Sequence, residues 1–261
     1  MRPNLRLFES ATAAFARAAS THEQFAIALP VLGNVPVEVQ AQSIVEGVLL
    51  SRYAYTGLRG QPKGKSVREL TLLANSQNEA AVRAGAERGR VFATATMLAR
   101  DLGNTPHSHL TATRLADIAV TLGSQRGFEV EVFDKGALIR LGCGGLLGVN
   151  AGSVEPPRMI KLTYRPEQEP TGRLALVGKG VMYDSGGLSL KPSDMVHARM
   201  KNDMAGAAAV LAVFSALSEL HCTAMVTGFL MCTDNNALWN GNSVGRRADH
   251  PRGEDRRGDR H

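Results

Sequence analysis

Two lysines and two carboxylates fall close together in one glycine-punctuated stretch. Lys179 stands between glycines in Leu176-Val-Gly-Lys-Gly-Val-Met-Tyr, and Asp184-Ser-Gly-Gly-Leu-Ser-Leu-Lys191-Pro follows directly. Asp203 then precedes Met204-Ala-Gly-Ala-Ala-Ala-Val, an alanine-rich run of helical composition. Hard and borderline divalent cations take carboxylate oxygens, and a desolvated lysine can offer a neutral amine nitrogen. Asp184 and Asp203 are therefore candidate metal ligands. Lys179 completes one side if burial and the cation displace its proton. Lys191, kept charged, suits stabilisation of an oxyanion in carbonyl chemistry.

Each residue also has an ordinary structural reading. Asp203 is placed to be a helix N-cap, the commonest reason for aspartate before a helical run. Gly178-Lys179-Gly180 superficially suggests a phosphate loop, but G-x-x-x-x-G-K-[ST] fails because Gly180 follows the lysine. Lys191 and Lys201 taken singly read as solvated surface lysines. His107, His109 and His197 lie in predicted loops without metal-ligand spacing. The ordered combination, rather than any one residue, carries the signal.

These residues must be positioned by an α/β scaffold. An apolar run over 174–177 reads as a strand that delivers Lys179, after which a glycine-rich turn presents Asp184, Ser185 and Lys191. Asp203 then begins a helix over 204–219. Ligands in open α/β sheets bind at that end of the strands. Before this, strands are predicted near 24–30, 69–73, 128–133 and 159–164, and helices over 37–50, 111–122 and 135–141. Gly142-Cys-Gly-Gly reads as a loop. Ser76-x-x-Glu79 looks like a capping box that opens a long helix to Leu102, stopped by Gly103-Asn104. The run 223–231 is largely apolar, as expected of a strand buried on both faces. The alternation implies a mostly parallel sheet with helices on both faces. The expected division is a smaller α/β domain over 1–75, a connecting helix over 76–103, a catalytic domain over 104–236 and a tail over 237–261.

The 261 residues carry 44% hydrophobic and 21% charged side chains, an ordinary globular balance. No run approaches the ~18 apolar residues a membrane helix needs. The N-terminus is a poor secretory signal. The three cysteines, Cys143, Cys222 and Cys232, are an odd number without metal spacing, as expected of reduced cytoplasmic thiols. Cys143 has no identifiable histidine partner and reads better as a small buried thiol than as a nucleophile. Of the net charge of +6, the six arginines and four acids over 246–261 supply about a third, so no nucleic-acid patch is signalled.

The core stretch resembles the leucyl (cytosol) aminopeptidase family of two-metal exopeptidases. Its Lys, Asp-Ser-Gly-Gly, Lys-Pro and Asp-Met-(small)-Gly-Ala elements arrive in order. Ala99-Arg-Asp-Leu-Gly-Asn-Thr-Pro resembles the family's approach to its catalytic domain. Gly142-Cys-Gly-Gly-Leu-Leu-Gly-Val-Asn-Ala-Gly-Ser-Val-Glu-Pro-Pro-Arg resembles a further block. Roughly residues 21–242 can be laid along the pattern. The resemblance implies that Lys179, Asp184 and Asp203 bind metal, with Asp184 bridging two ions, and that Lys191 assists at the transition state. Met200 matches a position lining the side-chain pocket. All five would contact substrate. The implied reaction is attack of a metal-held hydroxide on the N-terminal peptide bond, with manganese or zinc as the expected metal. The family is typically hexameric, its partners are peptides with a free N-terminus, and no membrane role is implied.

Two departures accompany the likeness. The segment 193–199 is slightly longer than usual, which bears on where Asp203 falls. The family also continues with an Asn-Thr-Asp-Ala-Glu-Gly-Arg segment that completes both metal sites, and this chain has none. After Asn242 it turns to Arg, Gly, Asp, His and Pro, a composition expected to be disordered and suggestive of aberrant sequence. The expectation is a truncated chain holding one incomplete metal site, with an exposed sheet edge and an open apolar face beyond 223–231. The competing expectation is a catalytically silent remnant, acting as a binding or assembly partner or surviving only as an unstable pseudogene product.

Overall fold

The structure is a computed structural model that describes residues 3–30, 35–58 and 64–237, with side chains from residue 8 onward. The expected tail over 237–261 lies, but for Ala237, outside the described residues. The first four elements are α1 (Pro3–Ala18), β1 (Gln24–Ala28), α2 (Val37–Ser51) and β2 (Glu69–Leu73). β1 and β2 pair in parallel with Phe25 opposite Leu70. Their apolar side chains meet helix residues in one cluster around Ala16, Ile44 and Val48, joined by Ile27, Leu70 and Leu72. Arg52, just past α2, donates to the carbonyls of Ala16, Ala19 and Ser20 and lies 5.5 Å from the Phe25 ring. One guanidinium thus satisfies the orphan carbonyls where α1 ends.

The long helix α3 (Glu79–Asn104) follows. The expected capping box does not form. Asn75 Oδ1 instead accepts from Gln77 N at 3.3 Å and caps a 3-10 turn over Ser76–Asn78, so α3 starts at Glu79 itself. α3 packs lengthwise on α2 because Gly85 and Gly89, four apart on one face, present bare backbone. A methyl at Gly85 would lie 2.0 Å from Glu38 O, and one at Gly89 would lie 2.7 Å from Gln42 O. No helix among the described residues is long and apolar enough to cross a membrane.

A four-stranded sheet organises the remainder. Its elements are α4 (Ala112–Arg126), β3 (Glu129–Phe133), α5 (Lys135–Arg140), α6 (Gly144–Asn150), β4 (Arg158–Tyr164), β5 (Arg173–Asp184), α7 (Met195–Ala198), α8 (Ala205–Ala216) and β6 (Met225–Asn235). The strand order is β3-β4-β6-β5. Only β5 and β6 are parallel, whereas β4 runs against both of its neighbours. This corrects the expectation of a mostly parallel sheet. Residues 165–172 are too few for the helical crossover that parallel strands require, so β5 must return opposite to β4. The glycine-rich segment expected to be a loop is also corrected, since Gly144–Asn150 forms α6.

α4 and α8 bring Leu115, Ala119, Leu211 and Phe214 against Ile160, Leu162 and Leu230 in the main core. Each such large buried side chain contributes on the order of 1.5–3 kcal/mol. β6 lies inside the sheet and its residues alternate between buried and half-buried, so it is not buried on both faces as its apolar run suggests. β3 and β5 are the edge strands, and on β5 Leu174 is 58% and Val177 69% exposed.

Glu219, beyond α8, ties three helices together. Arg90 of α3 reaches its carboxylate at 2.6 Å, and Arg126 of α4 also pairs with it. The hydrogen bond from Arg90 holds the Glu219 carboxyl below its usual range, against the opposing effect of burial and with the help of both arginine charges. A carboxyl whose folded value is lowered stabilises the fold above its unfolded value and loses that contribution as pH falls through the folded one. Glu219→Gln is therefore expected to lose about 0.5–1 kcal/mol at neutral pH. In urea denaturation the gap to the parent should begin to narrow as pH falls below the unfolded carboxyl's ~4.3, and close once pH is also below the lowered folded value, where both states are protonated.

The α2–α3 seam makes a second forecast. Gly85→Ala should destabilise by ~1–3 kcal/mol through overpacking, outweighing the ~1 kcal/mol that alanine gains in helix propensity. Gly103→Ala, in the same helix with nothing within 4 Å of the added methyl, should stabilise by up to ~1 kcal/mol. Thermal melts of the two variants would separate the effects.

Candidate functional site

The site begins where β5 outruns its apolar segment. Gly178, Lys179 and Gly180 have low strand propensity, yet they pair with Leu230, Met231 and Cys232 of β6. The strand continues to Asp184 rather than giving way to a turn after Val177. A bulge between Val181 and Asp184 adds one residue to β5 relative to β6. This extra residue matters for geometry. Lys179 pairs with Met231 and Asp184 with Asn235, and partners four apart on β6 point to the same face. In a regular strand Lys179 and Asp184 would point to opposite faces; the bulge brings them to one.

The helix side is brought in by bare backbone. A methyl at Gly178 would lie 2.6 Å from both Ala207 Cα and Gly206 O, and Gly206 in turn sits against the Lys179 main chain. β5 and the start of α8 therefore touch without an intervening side chain. Asp203 closes a 3-10 turn over Met200–Asn202, while α8 starts at Ala205 with Met204 in the N-cap place and no side-chain cap. Asp203 is not an N-cap. Its Oδ2 lies 2.6 Å from Lys179 Nζ. The longer segment after Lys191 is taken up by α7, capped by Asp194, and by the 3-10 turn, so Asp203 still reaches the strand.

The second pair lies beside the first. Lys191 Nζ is 2.5 Å from Asp184 Oδ2 and 2.9 Å from Met200 Sδ. Burial pushes the Asp184 carboxyl up, but hydrogen bonds from Lys191, Gly186 N and Asn235 outweigh it and hold the group below its usual range. Asp184 is thus an anion at neutral pH. The structure brings the five predicted residues into two groups, Lys179 with Asp203, and Lys191 with Asp184 and Met200. One expectation is corrected: Lys179 is not desolvated. Its side chain is 59% exposed because β5 is an edge strand.

The histidines take other places. His107 stacks on Tyr183 with ring centroids 4.5 Å apart, and Tyr183 faces His197 at 5.8 Å. His109 lies within hydrogen-bond distance of Ser108 Oγ. Cys143 is half-buried, whereas Cys232 is fully buried and its thiol is pushed up to about 12 by burial. Two polar residues that motif reading missed lie at the end of β6. Asp234 is buried, with its carboxyl raised by burial and partly restrained by Ser153 Oγ at 3.2 Å. Asn235 donates to Asp184 Oδ1 at 2.7 Å. Neither belongs to a recognisable spacing, and both emerge only from strand pairing.

The donor set suits a divalent cation. Asp203 Oδ2 is buried and accepts no hydrogen bond of normal direction, although Lys179 Nζ lies close to it. An ordered water or a metal ion would satisfy a buried anionic oxygen in that condition. Lys179, Asp184 and Asp203 would hold that ion from one side. Among the described residues, no three His, Cys, Asp or Glu side chains cluster at metal-binding range, so the candidate set is two carboxylates and a lysine.

Comparison with known proteins bears on this geometry. Residues 97–245 match the family described as "Cytosol aminopeptidase family, catalytic domain". The chain belongs to the cytosol aminopeptidase family. The probable cytosol aminopeptidase of Chlorobaculum tepidum is 41% identical over 207 residues, covering 76% of this chain and 41% of that protein. The probable cytosol aminopeptidase of Chloroherpeton thalassium is 40% identical over 222 residues, 80% of this chain and 43% of that one. The chain thus spans under half the length of these relatives. Among solved structures, the bottromycin maturation enzyme BotP in complex with Mn superposes with a TM-score of 0.79 at 38% identity. That match covers 90% of this chain and 49% of BotP.

The strand–helix contact on which this cytosol aminopeptidase site depends can be tested directly. Gly178→Ala should destabilise by ~1–3 kcal/mol, because backbone rather than a flexible side chain must move. Urea denaturation should show a lower midpoint at unchanged slope, which reports lost stability rather than an altered unfolded state.

Proposed function

We propose that this chain is a metal-dependent aminopeptidase that releases leucine-like N-terminal residues from peptides. The observation that carries this reading is the convergence of Lys179, Asp184, Lys191 and Asp203 on one strand–helix junction in a cytosol aminopeptidase fold. Lys179, Asp184 and Asp203 would hold a divalent cation, with manganese favoured over zinc by the Mn reported with BotP. A bound cation of this kind polarises the scissile carbonyl and lowers the pKa of water. Lys179 must give up its proton to serve as a ligand, and with its side chain exposed it is the bound cation that would have to displace that proton. Lys191, braced between Asp184 and Met200, offers a charged donor to the oxyanion that develops on the carbonyl. Met200, beside Lys191, is placed to line the pocket for the substrate's first side chain. Peptides with a free N-terminus are the partners this chemistry implies.

The test is hydrolysis of a leucine chromogenic amide by the purified chain with added Mn²⁺. The control is the Lys179→Ala/Asp184→Ala double variant, prepared identically. Loss of both groups should lower turnover by ~10²–10⁴-fold or more, to background. Equal turnover in the two proteins would sink the aminopeptidase reading. A fold that binds rather than hydrolyses would then be left.

A further inference from the structure

The group that decides which oxygen of Asp184 faces the cation lies outside the motif, on the neighbouring strand. We propose that Asn235 is a positioning residue for the metal site, its side chain orienting the Asp184 carboxylate. The inference rests on the reading of Asp184 as a cation ligand given above.

Asp184 Oδ1 accepts two N–H donors, Asn235 Nδ2 at 2.7 Å and Gly186 N at 3.0 Å. Oδ2 points the other way, toward Lys191 Nζ. With Oδ1 engaged twice, the oxygen left to a cation is Oδ2. Without Asn235, Oδ1 would keep only the Gly186 bond, and the carboxylate's plane would rest on the long Lys191 side chain at Oδ2. Asn235 is the natural source of the second donor because it is the cross-strand partner of Asp184, immediately after the bulge. The amide can only present its nitrogen here, since a carboxylate offers acceptors alone.

Asn235 is itself held on several sides. Its carbonyl accepts from Ser185 N at 2.9 Å and from Ser185 Oγ at 2.8 Å. Ser185 O then accepts from Lys191 N at 2.9 Å, so the same residue supports both members of the Asp184–Lys191 pair. Gly187 lies directly against the amide. Its φ is +63°, and a methyl there would stand 2.6 Å from Asn235 Oδ1. Gly187 thus has a physical counterpart across the sheet. The backbone bonds would survive any side chain at 235, so only the Nδ2–Asp184 bond depends on asparagine.

The experiment measures Mn²⁺ affinity of the full chain by electron paramagnetic resonance, alongside its melting temperature. The parent is compared with Asn235→Ala, Asn235→Leu and Asp184→Ala. Leucine keeps asparagine's branched shape, at a larger volume, without an N–H donor. Both Asn235 variants are expected to bind Mn²⁺ about tenfold more weakly, or worse, as is typical when a ligand's outer partner is lost. Their melting temperatures should stay near the parent's. With Co²⁺ in saturating amounts, the visible absorption should also change, because the carboxylate is no longer held in one plane. A folded Asn235 variant with parental Mn²⁺ affinity and Co²⁺ spectrum overturns the proposal. Loss of the fold in both variants overturns it too, assigning Asn235 to stability alone. Parental affinity in Asp184→Ala removes the cation-ligand reading, and the positioning role with it. Abolished binding in Asp184→Ala beside unchanged binding in the Asn235 variants removes the positioning role only.

Discussion

Everything at the site depends on main-chain contact between β5 and the start of α8. Two glycines, Gly178 on the strand and Gly206 on the helix, leave no side chain between them. Helices ordinarily pack on sheets across a layer of side chains, which would keep Asp203 and Lys179 farther apart. Removing that layer at one point brings the 3-10 turn before α8 down onto the strand. Lys179 Nζ and Asp203 Oδ2 then meet at 2.6 Å. The same approach excludes apolar packing at the contact, so the structure relies on the core farther along, where Leu211 and Phe214 of α8 meet Leu230 of β6. Packing at one end of the helix thus supports close approach at the other.

The two lysine–carboxylate pairs look alike but differ in exposure, and exposure separates their roles. Lys179 sits on an open edge of the sheet with its side chain 59% exposed. An ion pair that exposed is worth only ~0–1 kcal/mol, so a cation competes with it easily. Lys191 is 30% exposed and is also in contact with Met200. Its ammonium has fewer places to go and stays beside Asp184. Asp184 stays ionised because three donors outweigh its burial. One lysine is therefore suited to yield its carboxylate, and the other to keep its charge in place.

Much of this was legible from residue order, and the exceptions have physical reasons. Strands with clear alternation or apolar runs, such as 129–133 and 158–164, fell where the pattern put them. The ordered Lys, Asp-Ser-Gly-Gly, Lys-Pro and Asp-Met elements named residues that do converge. The extension of β5 through Gly178-Lys179-Gly180 was not legible, because pairing with β6 overrides weak local propensity. The direction of β4 was hidden for a related reason: alternation of helices and strands suggests parallel order, and only the short link 165–172 reveals the reversal. α6 forms through a glycine-rich stretch whose local propensity argues for a loop. Asn235 gave no signal at all, because its importance comes from what faces it across the sheet.

The bulge joins the sequence problem to the chemical one. Lys179 and Asp184 are five positions apart, an odd offset, along what the structure shows to be a single strand. A regular strand of that spacing cannot present both groups to one ion. Either the chain leaves the strand between them, as the glycines after Asp184 at first suggest, or the strand contains an extra residue. The structure takes the second course between Val181 and Asp184. A bulge keeps Asp184 hydrogen-bonded within the sheet, where a turn would have freed it. That is why Asp184 still has a cross-strand partner, and why an asparagine at that partner position can reach its carboxylate. The extra residue thus puts two ligands on one face and gives one of them a neighbour able to hold it.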